Sequence, residues 1–153
     1  MATAIQDTYP EEFAHCYGCG AANPDGMQLK TYLEGDETVT RHRPDPGRTG
    51  GMPGHAYGGL IASLIDCHGT GSASAFVQRE RGETIGEAPP PHFVTGTLNV
   101  VYRRPTPMGV ELTVRGRLKS HDGRKVVVEI ELSAGDDVCA SGEVIAIEIP
   151  SGR

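Results

Sequence analysis

The clearest hydrophobic pattern lies in the C-terminal third of the chain. Over residues 109–119, Val110, Leu112, Val114 and Leu118 share one parity, and Glu111, Thr113, Arg115, Arg117 and Lys119 share the other. Strict alternation with one apolar face marks a half-buried antiparallel strand. Residues 125–134 repeat it with Val126, Val128, Ile130 and Leu132. Asp122-Gly123 between the two is a hairpin signal, since both residue types tolerate positive φ. Gly135-Asp136-Asp137 turns the chain again into a strand over 138–149. Upstream, 93–103 places Val94, Leu98, Val100 and Tyr102 on one face, with Thr95, Thr97 and Asn99 on the other. Two short strands, 27–33 and 37–43, meet at Gly35-Asp36.

Between these groups, residues 57–78 read as a helix. Leu60, Ile61, Ala62, Leu64, Ile65, Ala73, Ala75, Phe76 and Val77 cover nearly its whole circumference. A helix apolar on every side is a buried one, which predicts a sheet curved around it. Gly69, Thr70, Gly71 and Ser72 are poor helix formers, and their small size predicts close approach of another backbone, a partner helix being the natural choice. The order is two strands, one helix, then four strands in a meander: an α+β fold with an antiparallel sheet of five to six strands around one long central helix. Nine of the sixteen residues from 44 to 59 are Gly or Pro, as are five of the ten from 82 to 91. Long ordered loops of this kind tend to carry function.

Composition narrows the classes. With 14 basic and 20 acidic residues the formal charge is -6, which argues against nucleic acid as a partner. The apolar run from 60 to 77 contains Asp66 and His68, so it is no membrane span. No signal segment precedes it, and the expected location is cytoplasmic. The four cysteines are too few and scattered for a disulfide scaffold. His15, Cys16 and Cys19 have metal-like spacing, but no second Cys or His pair completes a four-ligand site, so neither metal nor cofactor is expected. Cys67 and His68 are adjacent on the helix and point apart, which excludes a nucleophile–base pair.

Asp66 is the only carboxylate between Asp45 and Glu80, in the middle of the apolar helix. A carboxylate there is either hydrogen-bonded structurally or open to a cleft with a chemical task. Gly58 and Gly59 open the same helix, whose unsatisfied N–H groups favour developing negative charge. Eight residues separate Gly58 from Asp66, about 12 Å of helix rise. One reacting carbonyl cannot touch both groups of one chain, so a shared substrate requires two antiparallel helices across a two-fold axis.

Residues 57–66, Tyr57-Gly58-Gly59 through to Asp66, resemble the His-Gly-Gly-(x)6-Asp signature of hotdog-fold thioesterases, in the PaaI-like branch of the 4-hydroxybenzoyl-CoA thioesterase superfamily. Cys16-Tyr17-Gly18-Cys19-Gly20 and Asn23-Pro24-Asp25-Gly26-Met27 resemble a Cys-rich lead-in of many members. The likeness runs from about Cys16 to Ile149. It implies a lead-in over 1–26 and one hotdog domain over 27–150. It also implies hydrolysis of acyl-CoA at interfacial sites of a homodimer, or of a tetramer built from it. Asp66 then matches the carboxylate acting as nucleophile or general base, Gly58 the N–H that polarises the thioester carbonyl, and Thr95 a hydroxyl assisting water. Tyr57 stands where the family usually has His, beside Gly59. Gly51 replaces an Asn or Gln that orients water or thioester, with His55 nearby in sequence. Arg103 and Arg104, followed by Arg79 and Arg81, are the candidates for the CoA phosphates. The competing readings are a non-catalytic acyl-CoA or small-ligand binding module and an acyl-thioester hydratase or dehydratase; hydratases of this fold add a catalytic His.

Overall fold

The computed structural model describes residues 2–150. Its strands are β1 (Tyr32–Glu34), β2 (Glu37–His42), β3 (His92–Tyr102), β4 (Leu112–Asp122), β5 (Lys125–Ala134) and β6 (Asp137–Ile149), with one long helix, α1 (Gly58–Glu80), between β2 and β3. All six strands form one antiparallel sheet in the order β1-β2-β4-β5-β6-β3.

The alternation of β4 and β5 becomes the concave face. Leu112, Val114, Val126, Val128, Ile130 and Leu132 are buried there and pack with Leu60, Leu64, Ile65 and Phe76 of α1 and with Ala140 and Val144 of β6 in one apolar cluster. Three hairpin loops open on a glycine in the left-handed region: Gly35 (φ 63°), Gly123 (φ 60°) and Gly135 (φ 60°). At the second loop Gly123 alone takes positive φ. Asp122 is still a strand residue, paired with Lys125.

The four C-terminal strands are not a simple meander. The Gly123 and Gly135 turns are too short for anything but neighbours, so β4, β5 and β6 lie side by side. The 103–111 connection carries Pro105 and Pro107 and no such turn, and β3 lies at the far edge, against β6 only. That position overturns the expected one-faced burial of this strand. Phe93 is buried, but Val94, Leu98, Val101 and Tyr102 are exposed, and a bulge at Gly96 shifts the register between Thr95 and Thr97. Strand β4 begins at Leu112, beyond Gly109 (φ 79°), which leaves Val110 exposed; a bulge at Lys119 then ends the parity.

The first expected strand is shortened to Tyr32–Glu34. Gln28 has φ 50°, which breaks an extended run, and residues 27–31 bond instead to the N-terminal segment: Met27 N–H to Tyr17 O, Leu29 N–H to Gly18 O, and Ile5 N–H to Thr31 O. The small residues of α1 are filled from within the chain. A Cβ on Gly69 would lie 2.4 Å from Val144 Cβ of β6, and one on Gly71 would lie 2.6 Å from Gln6 Nε2. The close neighbours of these two glycines are β6 and the N-terminal segment rather than a partner helix.

A buried polar chain ties these parts together. Gln6 Nε2 donates to Thr31 Oγ1, which meets Thr40 Oγ1 at 3.1 Å; Thr40 and Thr38 hold His68 at Nδ1 (2.7 Å) and Nε2 (3.0 Å), and Thr38 meets Ser72 at 2.6 Å. Burial pushes the His68 pKa down to about 3, so the ring is neutral, donating through one nitrogen and accepting through the other. Gly116 of β4 leaves room for this network: a Cβ there would lie 2.7 Å from Thr38 Oγ1 and 3.0 Å from His68 Nε2.

Candidate active site

Helix α1 is buried along its C-terminal half, while Gly58 and Gly59 are exposed and Ala62, Ser63, Asp66 and Thr70 are half-buried. These residues, from Gly59 to Thr70, recur at helical spacing and form one open stripe. Strand β3 runs antiparallel beside it: Thr95 meets α1 at Asp66, and Tyr102 meets it at Gly58. Thr95 Oγ1 donates to Asp66 Oδ1 at 2.5 Å. A hydrogen bond to a carboxylate is charge-assisted and fixes its rotamer. Asp66 is half-buried on the open stripe of α1 and hydrogen-bonded to Thr95.

At the helix start, Tyr57 is the N-cap residue and makes no side-chain capping bond. The first N–H that turns back into the helix is that of Leu60, to Tyr57 O, so no side chain caps Gly58 and Gly59. Positive potential from these N–H groups points out of the helix end. Gly59 has to be glycine, since a Cβ would lie 2.7 Å from the Tyr57 ring. Tyr102 Oη donates to Gly58 O at 2.7 Å and pins the first turn to β3. Sequence reasoning does not select Tyr102 for the site; the signal is its spacing of seven from Thr95 along a strand beside the helix.

The remaining predicted residues divide. Thr95, Asp66, Tyr57, Gly58 and Gly59 share the α1–β3 edge. Gly51 lies in an exposed loop with open space around it. His55 is half-buried, and its Nδ1 is buried without a hydrogen-bond partner. Arg103 donates to Ser141 Oγ and shares a cleft of about 460 Å³ with Arg115, Arg117 and Lys119. Arg104 is paired with Asp137 at 3.2 Å, Arg79 with Asp36 at 3.8 Å, and Arg81 with Glu148 at 3.3 Å. A larger cleft, about 940 Å³, is lined by the N-terminal turns, residues 86–92 and the end of β6, and neither Asp66 nor Thr95 borders it. Neither of these two clefts joins Asp66 to Gly58 and Gly59.

Spacing also fails to anticipate the cysteines. Cys67, next to Asp66, turns toward the lead-in, and its sulfur lies 3.9 Å from that of Cys16, with Cys19 alongside. All four cysteines are free thiols. Hydrogen bonds from the Cys19 and Cys67 thiols hold the Cys16 pKa well below its usual value. The bond to Cys16 pushes Cys19 up to about 12 and Cys67 up as well. His15 is exposed and takes no part in this group. As the i,i+1 spacing predicts, His68 faces the opposite way, into the sheet.

Among the described residues no helix is long and apolar enough to cross a membrane. The chain is 30% identical over 99 residues to the acyl-coenzyme A thioesterase THEM4 of Rattus norvegicus and 28% identical to that of Xenopus laevis. These matches cover 65% of this chain but only 37% and 39% of those proteins. The Escherichia coli PaaI protein from the phenylacetic acid degradation operon, 14% identical, shares the fold with a TM-score of 0.66 over 81% of each chain. A thioesterase superfamily protein of Shewanella loihica is far nearer in sequence, at 48% identity, with a TM-score of 0.68 over 91% of this chain and 97% of that one. The thioesterase superfamily profile itself matches residues 53–141, from the loop before α1 into β6. That span holds Asp66, Thr95 and the helix start together, and the chain belongs to the thioesterase superfamily with its hotdog fold.

Proposed function

We propose that the protein hydrolyses acyl-CoA thioesters to the free acid and CoA, at two symmetric sites shared by the subunits of a homodimer. The observation that carries this reading is Asp66, a carboxylate on the open stripe of an otherwise buried helix, held by Thr95. The Asp66 carboxylate is the group to attack the carbonyl or to take a proton from water. As the C–O bond forms, charge moves onto the thioester oxygen, where the N–H groups of Gly58 and Gly59 stabilise it. With Asp66 as base, collapse breaks the C–S bond and the proton taken from water passes to the CoA sulfur. With Asp66 as nucleophile, CoA leaves as the thiolate, and water then hydrolyses the aspartyl anhydride to the free acid and restores the carboxylate.

The roughly 12 Å between the two groups along α1 is too long for one thioester to reach both within a chain, which supports pairing the carboxylate of one subunit with the helix start of the other. The exposed edge of β3, with Leu98, Val101 and Tyr102, and the small-residue stripe of α1 supply the face to be covered. Arg103 is the contact we assign to the CoA phosphates; the cleft around it balances Arg103, Arg115, Arg117 and Lys119 against Glu37, Glu129, Glu131 and Glu143, with Arg117 paired to Glu37 and Lys119 to Glu143. A hydratase is disfavoured because His68 is engaged with Thr38 and Thr40, away from Asp66.

The test is thiol release from short, long and aromatic acyl-CoAs by the wild type and by Asp66→Asn. A loss of about a hundredfold or more in kcat is the expected size for removing an acid–base or nucleophilic group. Equal turnover by both proteins would acquit Asp66. Absence of turnover with acyl-CoA still bound would make the chain a binding module. Full activity as a monomer would remove the shared site.

A further inference from the structure

The lead-in Cys16-Tyr17-Gly18-Cys19-Gly20 has no part in the hydrolysis above, yet the fold builds it with care. Cys16, Cys19 and Cys67 bring their three sulfurs within 4.8 Å of one another, from a loop and from the middle of α1. Cys19 and Cys67 are buried while Cys16 is exposed. The loop is a tight knuckle. Gly20 N–H donates to Cys16 O at 2.8 Å and closes the turn. Two glycines make the shape possible. A Cβ on Gly20 would lie 2.4 Å from Ala14 O, and one on Gly18 would lie 2.4 Å from the Cys67 sulfur. Gly18 therefore opens the space into which Cys67 projects.

Two thiolates on a tetrahedral zinc ion, each at about 2.3 Å, stand about 3.8 Å apart. The Cys16–Cys67 separation is 3.9 Å. A disulfide requires about 2.05 Å and joins only two sulfurs, whereas these three all lie within 4.8 Å of one another.

We propose that Cys16, Cys19 and Cys67 bind a thiophilic closed-shell cation, Zn²⁺, with solvent reaching the fourth position past Cys16. Binding replaces the thiol protons by S–Zn bonds and releases those protons to the buffer. No electron is transferred. The ion staples the lead-in to α1 one residue beyond Asp66, and its role is structural. Spacing in the sequence misses the site because the third ligand is 48 positions from Cys19 and meets it only in the folded chain.

The experiment uses the full chain, reduced and purified without chelator, loaded with excess Zn²⁺ or Co²⁺ and desalted. The expected result is about one equivalent of zinc per chain by elemental analysis. Cobalt should give thiolate-to-metal charge-transfer absorption and the intense visible bands of a tetrahedral site. Cys16→Ser, at an exposed position, and Cys67→Ser should each fall below about a tenth of an equivalent, while Cys139→Ser keeps the full amount. Wild type that retains less than about a tenth of an equivalent overturns the proposal. So does uptake that survives both Cys16→Ser and Cys67→Ser. A chain that carries a Cys16–Cys19 or Cys16–Cys67 disulfide as isolated, and takes up no metal once reduced, overturns it as well.

Discussion

Acidification tests the buried histidine of α1. His68 is fully enclosed, its two nitrogens are used by Thr38 and Thr40, and its pKa is pushed down to about 3 by burial, against an ordinary value of 6.5. In the unfolded chain the same ring protonates below about 6.5. Between those values the unfolded state binds one more proton than the folded state, so stability rises with pH and is lost as pH falls. The slope reaches about 1.36 kcal/mol per pH unit for one proton, which makes about 2 to 3 kcal/mol between pH 6.5 and 4.5 and full retention above 6.5. His42 and His92 are also lowered by burial and add loss of the same sign, so the wild-type curve alone does not isolate His68. The comparison is with His68→Gln, which keeps a donor and an acceptor but does not titrate. Urea midpoints converted to free energies at pH 7.0, 6.0, 5.0 and 4.5, at one protein concentration, give both curves. The wild type should lose about 2 kcal/mol more than the variant across that range. Parallel curves would refute the assignment of a neutral, enclosed ring.

Thr95→Val keeps the shape of the side chain and removes the hydroxyl that positions Asp66; a bond to a charged group is worth about 1.5 to 3 kcal/mol, so kcat should fall about 10- to 100-fold with KM little changed. A change under about twofold in steady-state kinetics would show that the carboxylate needs no such support. Gly69→Ala gains about 1 kcal/mol of helix propensity but drives a Cβ into Val144, and the overpacking should win by about 1 to 3 kcal/mol in denaturant unfolding. Stabilisation would mean that β6 yields at that point. Val101→Glu puts a charge on the exposed edge of β3; sedimentation should show a dimer in the wild type and a monomer in the variant, with activity lost alongside. A dimeric, active variant would move the interface elsewhere.

The elements that announced themselves in the sequence are those with one face in the core. Strands β4 and β5 alternate where Leu112, Val114, Val126, Val128, Ile130 and Leu132 lie in one core cluster with the apolar residues of α1. Strand β3 carries the same alternation but lies at an edge, where neither face is sealed within the chain, so parity could not say which side is buried. The strand order was illegible for a related reason. A two-residue glycine turn fixes its neighbours, while the 103–111 segment, with its prolines, leaves the destination to tertiary packing. Asp66 stood out because a carboxylate amid Leu64, Ile65 and the small residues that follow violates the pattern around it. The resemblance named Thr95 only as a hydroxyl assisting water; its bond to Asp66 joins distant segments and has no local signal. Cys67 was invisible as a partner of Cys16 and Cys19, and His68 as a partner of Thr38 and Thr40, because both pairings join distant segments.

The place of β3 at the edge beside β6 also sets a timetable for synthesis. The strand ends at Tyr102, and among the described residues the one strand it pairs with starts at Asp137, 35 positions later. At about 5 to 20 residues per second a ribosome needs about 2 to 7 s to make that interval. During it, β4 and β5 can pair locally while β3, with Val94, Leu98 and Val101 along it, has no strand to join. Closure of the sheet is therefore a late, non-local event, and the nascent chain carries an open apolar edge until β6 has emerged. Neighbouring nascent chains on one message present the same edge at the same time, which makes crowded translation the condition under which this protein is most exposed to mispairing.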